Sequence, residues 1–343
     1  MFLDLPESIE KGYFRNVYDV KICDDGSAWP VRFSDKLFSV YSEVEGRKIR
    51  SYCASGVCID LITSSDFIYL YVDTLSFARD FAYFDLYIDD IFVETIGTEP
   101  VEKLDERVSF QLIYEHINGK TVRDSKEQRV TIYLPHLVDI HIKAIEVEDK
   151  SIVRSSSKLT EKQKNLLCLG DSITQGMTAK RPSSMFSVQL ARKLGMNLLN
   201  HGVGGHVFDE DVIDGDMGIN PDIITVAYGV NDWSRYESMD IFSEKCRRFF
   251  DKLINVYHNA KIFVITPIWT DRENESRAIG SLSDIRREIE CIAGEYEGIS
   301  IINGLEMLPN MSEFLQDGVH PNDDGFAHYS VNLLAELCAS RNQ

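Results

Sequence analysis

The first 150 residues of the chain consist of short apolar runs separated by polar turns. Between Asp139 and Ile145 polar and apolar residues alternate, which is the pattern of a half-buried strand. Asp89 and Asp90 separate two runs and predict a hairpin turn. Seven such runs, with no convincing helix among them, predict an antiparallel β-sandwich or jelly roll. The runs cover residues 57–63, 67–73, 82–88, 91–95, 108–114, 129–135 and 138–146.

The second half of the chain has a different rhythm, in which strand patterns alternate with helix patterns. This alternation predicts a mostly parallel sheet with helices on both faces. In such sheets, functional sites form at the carboxyl ends of the strands. The predicted strands cover residues 165–169, 197–200, 223–227, 261–266 and 299–302. The predicted helices cover residues 185–194, 241–258, 284–296 and 326–340.

A polar segment separates the two patterns and predicts a domain boundary. We therefore predict a β-sandwich domain at 1–150, a linker at 151–164 and an α/β domain at 165–343. The linker could also be the exposed start of a helix, which would move the boundary by only a few residues.

The charge of the chain limits its partners. It has 36 Lys and Arg against 55 Asp and Glu, a net charge of −19. Nucleic-acid binding depends on clustered basic residues, so we expect no nucleic-acid partner and a neutral small molecule as substrate.

The seven cysteines are an odd number without a CxxC pair, which favours reduced, buried thiols. The first residues lack a signal-peptide pattern, and no apolar run approaches 18 residues. We therefore expect a cytoplasmic protein without a membrane partner. The sequence leaves open whether it forms a homo-oligomer.

The strongest local motif is Gly170-Asp171-Ser172, which directly follows a predicted strand. Glycine permits a tight turn from strand to helix, and such a turn would expose the Ser172 hydroxyl at the edge of the sheet. Asp171 and Ser172 could equally form an ordinary helix N-cap.

A second motif, Asp317-Gly318-Val319-His320, lies near the end of the chain. A serine nucleophile needs a base, and a histidine base needs a carboxylate that fixes its tautomer. Asp317 could orient His320, whose other ring nitrogen would then face Ser172. A surface turn would also explain this spacing.

Two further segments, 200–205 and 228–232, each follow a short apolar run. The glycines of the first would let backbone N–H groups approach a ligand, and Asn231 in the second could donate to an oxyanion. Each segment alone could be an ordinary turn. Ordinary turns do not explain why these two segments and the two motifs above all follow apolar runs.

Together these residues resemble the SGNH hydrolases, also called the GDSL esterase/lipase family. Gly170-Asp171-Ser172 is similar to the first family block, Gly205 to the second-block glycine, Gly229-x-Asn231-Asp232 to the third block and Asp317-x-x-His320 to the last. The sequence departs from the family at Ile173, where the shortest family signature has Leu. Gly204 adjoins Gly205 and is a second candidate for the glycine position.

The resemblance implies a flavodoxin-like three-layer sandwich with a mostly parallel sheet and a serine esterase that needs no cofactor and no metal. It implies that Ser172, Asp317 and His320 are catalytic. It also implies that the Ser172 and Gly205 N–H groups and the Asn231 side chain form the oxyanion hole. The N-terminal segment 84–87 resembles the jelly-roll domains of carbohydrate deacetylases similar to carbohydrate esterase family 2.

These resemblances predict hydrolysis of short-chain or acetyl esters of a carbohydrate or another small neutral alcohol through an acyl-enzyme. A lipase or thioesterase with a longer acyl pocket, and an inert carbohydrate-binding or scaffold protein, are the alternatives. Trp233, Trp269 and Arg181 are candidate substrate-binding residues, because they follow strands or the nucleophile motif. Core packing of the tryptophans and a solvated arginine are the ordinary explanations.

Overall fold

The computed structural model describes residues 1–101, 106–112, 127–156 and 163–340. The described residues divide into two compact units: Met1–Arg32 with Tyr52–Lys162, and Phe33–Ser51 with Gln163–Gln343. Within the described ranges, no helix is both long and apolar enough to cross a lipid bilayer.

The first unit is an antiparallel β-sandwich. Its strands are β1 (Phe2–Leu3), β2 (Phe14–Arg15), β3 (Asp19–Ile22), β4 (Ala28–Val31), β5 (Cys58–Thr63), β6 (Phe67–Phe77), β7 (Ala82–Ile88), β8 (Ile91–Thr98), β9 (Glu106–Gln111), β10 (Gln128–Tyr133), β11 (Val138–Val147) and β12 (Val153–Ser155). One sheet has the order β3-β4-β11-β6-β9 with β1 beside β11, and the other has the order β12-β5-β10-β7-β8 with β2 beside β5. Phe84 of one sheet and Phe110 of the other are fully buried and pack edge to face at 5.9 Å. The predicted sandwich is therefore confirmed.

The prediction that the first 150 residues contain no helix is wrong. They contain α1 (Leu5–Glu10), α2 (Asp35–Ser42) and α3 (Glu45–Tyr52). Side chains cap the first two, since Asp4 accepts from the Glu7 N–H at 2.8 Å and Ser34 from the Leu37 N–H at 3.3 Å. Helix α3 buries only Ser51, so the sequence has no apolar stripe that would reveal it.

Part of the predicted sandwich region belongs to the second unit. Within that unit, Ser34 Oγ donates to Asp214 Oδ2 at 2.5 Å, and the Phe33 ring lies 4.8 Å from the His201 ring. This division differs from the predicted boundaries, which assign all of residues 1–150 to the sandwich. Strand β12 also lies inside the predicted linker 151–164. Residues 157–162 of that linker lie outside the described residues. Residues 113 and 114 of the strand predicted at 108–114 lie outside them as well.

The second unit is built on a parallel sheet of five strands. The strands are β13 (Asn165–Gly170), β14 (Asn197–Gly202), β15 (Ile223–Ala227), β16 (Lys261–Ile265) and, after the short hairpin β17 (Ser276–Arg277) and β18 (Gly280–Ser281), β19 (Ile299–Ile302). Their order in the sheet is β14-β13-β15-β16-β19, which is the flavodoxin-like order 2-1-3-4-5. The predicted parallel α/β fold is confirmed, with strand bounds close to those expected from the sequence.

Helices cover this sheet. They are α4 (Ser172–Gln175), α5 (Phe186–Leu194), α6 (Val230–Arg235), α7 (Met239–Val256), α8 (Leu282–Ala293) and α9 (Asp323–Ala339). Right-handed crossovers place α5 on one face of the sheet and α7 and α8 on the other. Helix α9 packs on α5, where the rings of Tyr329 and Phe186 stack at 4.2 Å. The chain reverses its direction across the sheet at β13, so the carboxyl end of β13 is where this fold forms a crevice.

Candidate active site

Ser172 begins helix α4 immediately beyond the carboxyl end of β13. Asp171 caps the helix by accepting a hydrogen bond from the Ile173 N–H at 2.9 Å. A Cβ atom at Gly170 would lie 2.1 Å from Thr174 Oγ1, so only glycine allows the chain to turn this tightly. The turn leaves the Ser172 side chain partly exposed at the edge of the sheet.

His320 joins Ser172 to a carboxylate. Its Nε2 lies 2.7 Å from Ser172 Oγ, and its Nδ1 lies 2.8 Å from Asp317 Oδ2. The backbone N–H groups of His320 and Val319 also donate to Asp317 Oδ1, at 2.9 and 3.2 Å. Partial burial raises the pKa of Asp317, but the hydrogen bonds and charge of His320 outweigh it and hold the pKa below its ordinary value. Asp317 is therefore an anion that can fix the tautomer of His320.

The predicted oxyanion-hole donors are the Asn231 side chain and the N–H groups of Ser172 and Gly205. Asn231 lies in the first turn of α6, where its Nδ2 donates to Asp171 Oδ2 at 3.0 Å and to the His206 carbonyl at 3.1 Å. Gly205 follows β14 with a φ of 78°, in the left-handed region that favours glycine. Within the described part of the chain, no group accepts a hydrogen bond from the N–H of Ser172 or of Gly205. Neither N–H group therefore has an acceptor there, as a donor of an oxyanion hole requires, although Gly205 itself is not among the residues that line the cavity described below.

A closed set of hydrogen bonds supports the glycine loop next to Gly205. The Gly204 N–H donates to Gln175 Oε1 at 2.8 Å, and Gln175 Nε2 donates to the Arg50 carbonyl at 2.8 Å. Arg50 Nη1 completes the set by donating to the Gly204 carbonyl at 3.0 Å. Arg50 and Gln175 are not among the site residues predicted from the sequence, since Arg50 stands in no motif and Gln175 lies beyond Gly170-Asp171-Ser172.

Two buried carboxyl groups lie behind the site. Burial raises the pKa of Asp171 to about 7, against the hydrogen bonds from Ile173 and Asn231. Burial likewise raises the pKa of Asp232 to about 7, although Asp232 accepts hydrogen bonds from the N–H groups of Phe208 and Gly229, both at 3.0 Å. These bonds cap the start of α6 and connect it to the loop that contains Phe208, which gives Asp232 a structural role.

A cavity of about 380 Å³ opens beside Ser172. Its walls contain catalytic candidates, two arginines and several neutral side chains. The residues that line it are Asp171, Ser172, Ile173, Val230, Asn231, Trp233, Ser234, Thr270, Arg272, Arg277, Asp317, Val319 and His320. No group of three or more His, Cys, Asp or Glu residues in the described ranges is arranged to hold a metal ion.

The structure thus brings together Ser172, Asn231, Asp317 and His320, and it places Trp233 in the cavity wall. Trp269 is half-buried and is not a lining residue. Arg181 is not one either, and its Nε lies 3.9 Å from Asp323 Oδ2. The lining arginines, Arg272 and Arg277, were not predicted from the sequence and lie in the loop and hairpin between β16 and α8. Their only sequence signal is their position after the carboxyl end of a parallel strand.

Comparisons with known proteins agree with this geometry. The model of the GDSL-like lipase/acylhydrolase family matches residues 168–328. A search of curated proteins gave no match. Among solved structures, the salicylyl-acyltransferase SsfX3 from a tetracycline biosynthetic pathway is similar, with a TM-score of 0.80 and 16% identity over 95% of this chain and 94% of that one.

Two carbohydrate esterases of family two also share the fold. The enzyme from Cellvibrio japonicus has a TM-score of 0.60 and 14% identity over 98% of this chain and 96% of its own. The enzyme from Clostridium thermocellum, solved in complex with cellohexaose, has a TM-score of 0.60 and 11% identity over 84% of this chain and 94% of its own. Residues 168–328 thus match the GDSL-like lipase/acylhydrolase family, and this match, together with the fold shared with carbohydrate esterases, supports a carboxylic ester hydrolase.

Proposed function

We propose that the protein cleaves short-chain carboxylic esters of a small alcohol through an acyl-enzyme on Ser172. The observation that carries this proposal is the hydrogen-bonded series from Ser172 Oγ to His320 Nε2 and from His320 Nδ1 to Asp317. This arrangement supplies a nucleophile, a base and a group that orients the base.

In the first half of the reaction, Ser172 Oγ attacks the ester carbonyl carbon and His320 Nε2 takes the hydroxyl proton. The charge on the carbonyl oxygen is stabilised by the N–H groups of Ser172 and Gly205 and by Asn231 Nδ2. The Asn231 amide already donates two hydrogen bonds, one to Asp171 and one to the His206 carbonyl. When the oxyanion forms, one of these two bonds breaks and its hydrogen is donated to the oxyanion. The resulting tetrahedral intermediate collapses: the bond between the carbonyl carbon and the alcohol oxygen breaks, and His320 gives its proton to the leaving alcohol. The acyl group stays bound to Ser172 Oγ.

In the second half, water attacks the acyl-enzyme while His320 Nε2 accepts a proton from it. Collapse of this second intermediate breaks the bond to Ser172 Oγ, and His320 returns the proton to that oxygen. The carboxylic acid leaves, and the free enzyme is restored. Asp317 stays ionised throughout and stabilises the protonated imidazole.

The substrate class is proposed from two features. The cavity of about 380 Å³ suits a small ester better than a long acyl chain. The fold is shared with family-two carbohydrate esterases, which makes acetylated carbohydrates the first substrates to assay.

A serine-directed probe tests the nucleophile. We expect a fluorophosphonate to add one covalent label to the wild-type protein and none to Ser172→Ala, as measured by intact mass. Ser172→Ala should also lower the hydrolysis of p-nitrophenyl acetate by roughly three orders of magnitude or more. Ser234→Ala is the matched control, because Ser234 lines the same cavity but donates to the Asn231 carbonyl. Labelling that survives in Ser172→Ala, or is lost in Ser234→Ala, contradicts the assignment.

A further inference from the structure

Two positive side chains, Arg272 and Arg277, line the cavity that holds Ser172 and His320. The mechanism proposed above uses neither of them. Their position is unexpected for a chain with a net charge of −19, whose surface should repel anions. They therefore call for a local explanation.

Arg277 lies over an aromatic ring. Its guanidinium carbon lies 4.2 Å from the centre of the Trp233 ring, which is the geometry of a cation–π contact. Trp233 is itself only 2% exposed, and its Nε1 donates to the Gly280 carbonyl at 2.9 Å. A fixed ring under a planar cation limits the directions in which that cation can donate.

The donors of Arg277 are incompletely used. Its Nε is buried and donates to no acceptor in the described part of the chain. The carboxylate of Glu275 lies 3.5 Å from Nη2, but the Glu275 side chain is 53% exposed, and such exposed pairs contribute little. A buried guanidinium donor without an acceptor is costly, so an acceptor supplied by a ligand would stabilise it.

Arg272 is exposed, and no carboxylate of the described residues lies within ion-pair distance of it. Its neighbours in the sequence are engaged elsewhere: Glu273 pairs with Arg286, and Asp271 accepts from Ser312 Oγ at 2.5 Å. The guanidinium of Arg272 is therefore available at the cavity.

The other charged groups of the cavity are already matched. Asp317 faces His320, and Asp171 accepts from Ile173 and from Asn231. The cavity therefore has two guanidinium groups, those of Arg272 and Arg277, that no carboxylate of the cavity wall neutralises.

We propose that the ester substrate carries a carboxylate group that binds Arg277, with Arg272 as a second contact. This inference rests on the proposed esterase function and replaces the neutral substrate expected from overall charge. A planar carboxylate matches the donor geometry of a guanidinium, and a charge-assisted pair in a partly dry cavity is stronger than one in water. The carboxylate belongs either to the acyl group or to the alcohol, and an acetylated sugar acid would satisfy both this requirement and the proposed function.

Two matched pairs of substrates separate these sources. The acyl arm compares mono-p-nitrophenyl glutarate with p-nitrophenyl pentanoate, and the alcohol arm compares 4-acetoxybenzoate with 4-acetoxybenzamide. In at least one arm we expect the wild type to prefer the anion by about ten- to hundredfold in kcat/KM, which corresponds to the usual strength of a hydrogen bond to a charged group. The preference should decrease as salt is added.

Arg277→Gln should bring this ratio close to one, mainly through a higher KM for the anionic ester. Arg277→Lys keeps the charge without the planar fork and should restore part of the preference. Arg287→Gln is the control, because it removes the same charge from a side chain on α8 that is 74% exposed and does not line the cavity. A melting curve of each variant excludes loss of folding as the cause.

The inference is overturned if the wild type shows no anion preference in either arm, or if the preference survives in Arg277→Gln and in the double variant with Arg272→Gln. Failure of the wild type to hydrolyse any ester would instead contradict the proposed function. In that case calorimetric titration of the Ser172→Ala protein with glutarate and with 4-hydroxybenzoate tests the anion site without turnover. Binding that disappears in Ser172→Ala/Arg277→Gln supports the site, and absence of binding rejects it.

Discussion

Asn231 illustrates how single residues prepare this site for catalysis. Its amide is fixed from two sides, by a buried carboxyl group and by a backbone carbonyl. A donor fixed in this way needs little reorganisation when an oxyanion forms, which is the main source of electrostatic stabilisation in enzymes. In the proposed mechanism Asn231 exchanges one existing partner for the oxyanion, and this exchange is favourable because charge develops only in the transition state.

Asn231→Ala tests this role. We expect kcat for p-nitrophenyl acetate to decrease by about 10²- to 10³-fold with a much smaller change in KM, because the lost hydrogen bond strengthens only in the transition state. Steady-state kinetics with a fluorophosphonate titration of active sites measure both parameters. A variant in which KM alone rises would identify Asn231 as a substrate contact, and the oxyanion donor would have to be another group.

The catalytic candidates could be predicted from the sequence because each lies in a short motif next to a strand end. Ser172 follows β13, Asn231 follows β15, and His320 has its carboxylate three positions earlier. Arg277 could not be predicted, since its role depends on the ring of Trp233, which is 44 positions away in the sequence and 4.2 Å away in space. Contacts of this kind are set by packing and leave no periodic signal.

At the scale of elements, α3 supports the loop that contains Gly205. Arg50 of this helix contributes its carbonyl to Gln175 and its guanidinium to the Gly204 carbonyl. The same loop contains His206, whose pKa burial and the neighbouring arginines lower to about 3, so its imidazole stays neutral at ordinary pH. A neutral, buried loop held by fixed donors keeps the Gly205 N–H in one orientation.

We therefore predict that Arg50 is a positioning residue. Arg50→Met keeps much of the apolar stem and removes the guanidinium, so kcat should fall by roughly tenfold while KM and the melting temperature change little. Arg50→Lys should recover part of kcat. Lys48→Met on the same helix is the control, because the Lys48 ammonium group lies 3.9 Å from the carboxylate of Glu45 on the same helix. Equal losses in the two Met variants would show that the effect is not specific to the glycine loop.

The α/β part of the fold could be predicted element by element, because parallel strands form continuous apolar runs and the long helices have apolar stripes. The helices α2 and α3 could not, since each has only eight residues and α3 is largely polar. Helix α2 is stabilised by its Ser34 cap and by the contact between Ser34 and Asp214, and α3 by contacts such as that between Arg50 and the Gly204 carbonyl.

At the scale of the whole molecule, the net charge and the cavity lead to different expectations for the substrate. A charge of −19 describes the average surface and predicts a neutral substrate, whereas the two arginines that line the cavity support the anionic substrate proposed above. The order of the two patterns along the chain correctly indicated a sandwich followed by an α/β domain. It could not indicate that Phe33–Ser51, within the sandwich half of the sequence, groups with the α/β unit.

This grouping predicts that the α/β half of the sequence is incomplete when expressed alone. A fragment of residues 163–343 lacks Phe33, which is fully buried against His201, and Ser34, the partner of Asp214. It also lacks the Arg50 contacts to the glycine loop. We expect this fragment to aggregate or to melt at a lower temperature, and to hydrolyse p-nitrophenyl acetate at least tenfold more slowly than the full chain.

The matched control is the full chain with a protease site inserted between Ser156 and Gln163 and cleaved after folding. Cleavage there removes the covalent connection but leaves Phe33–Ser51 present, so activity and melting temperature should stay close to those of the uncut protein. The two samples differ in whether α2 and α3 are present, which separates the effect of the missing segment from that of a broken chain. A fragment of 163–343 with the melting temperature and kcat of the full chain would show that residues 33–51 contribute nothing to the hydrolase fold.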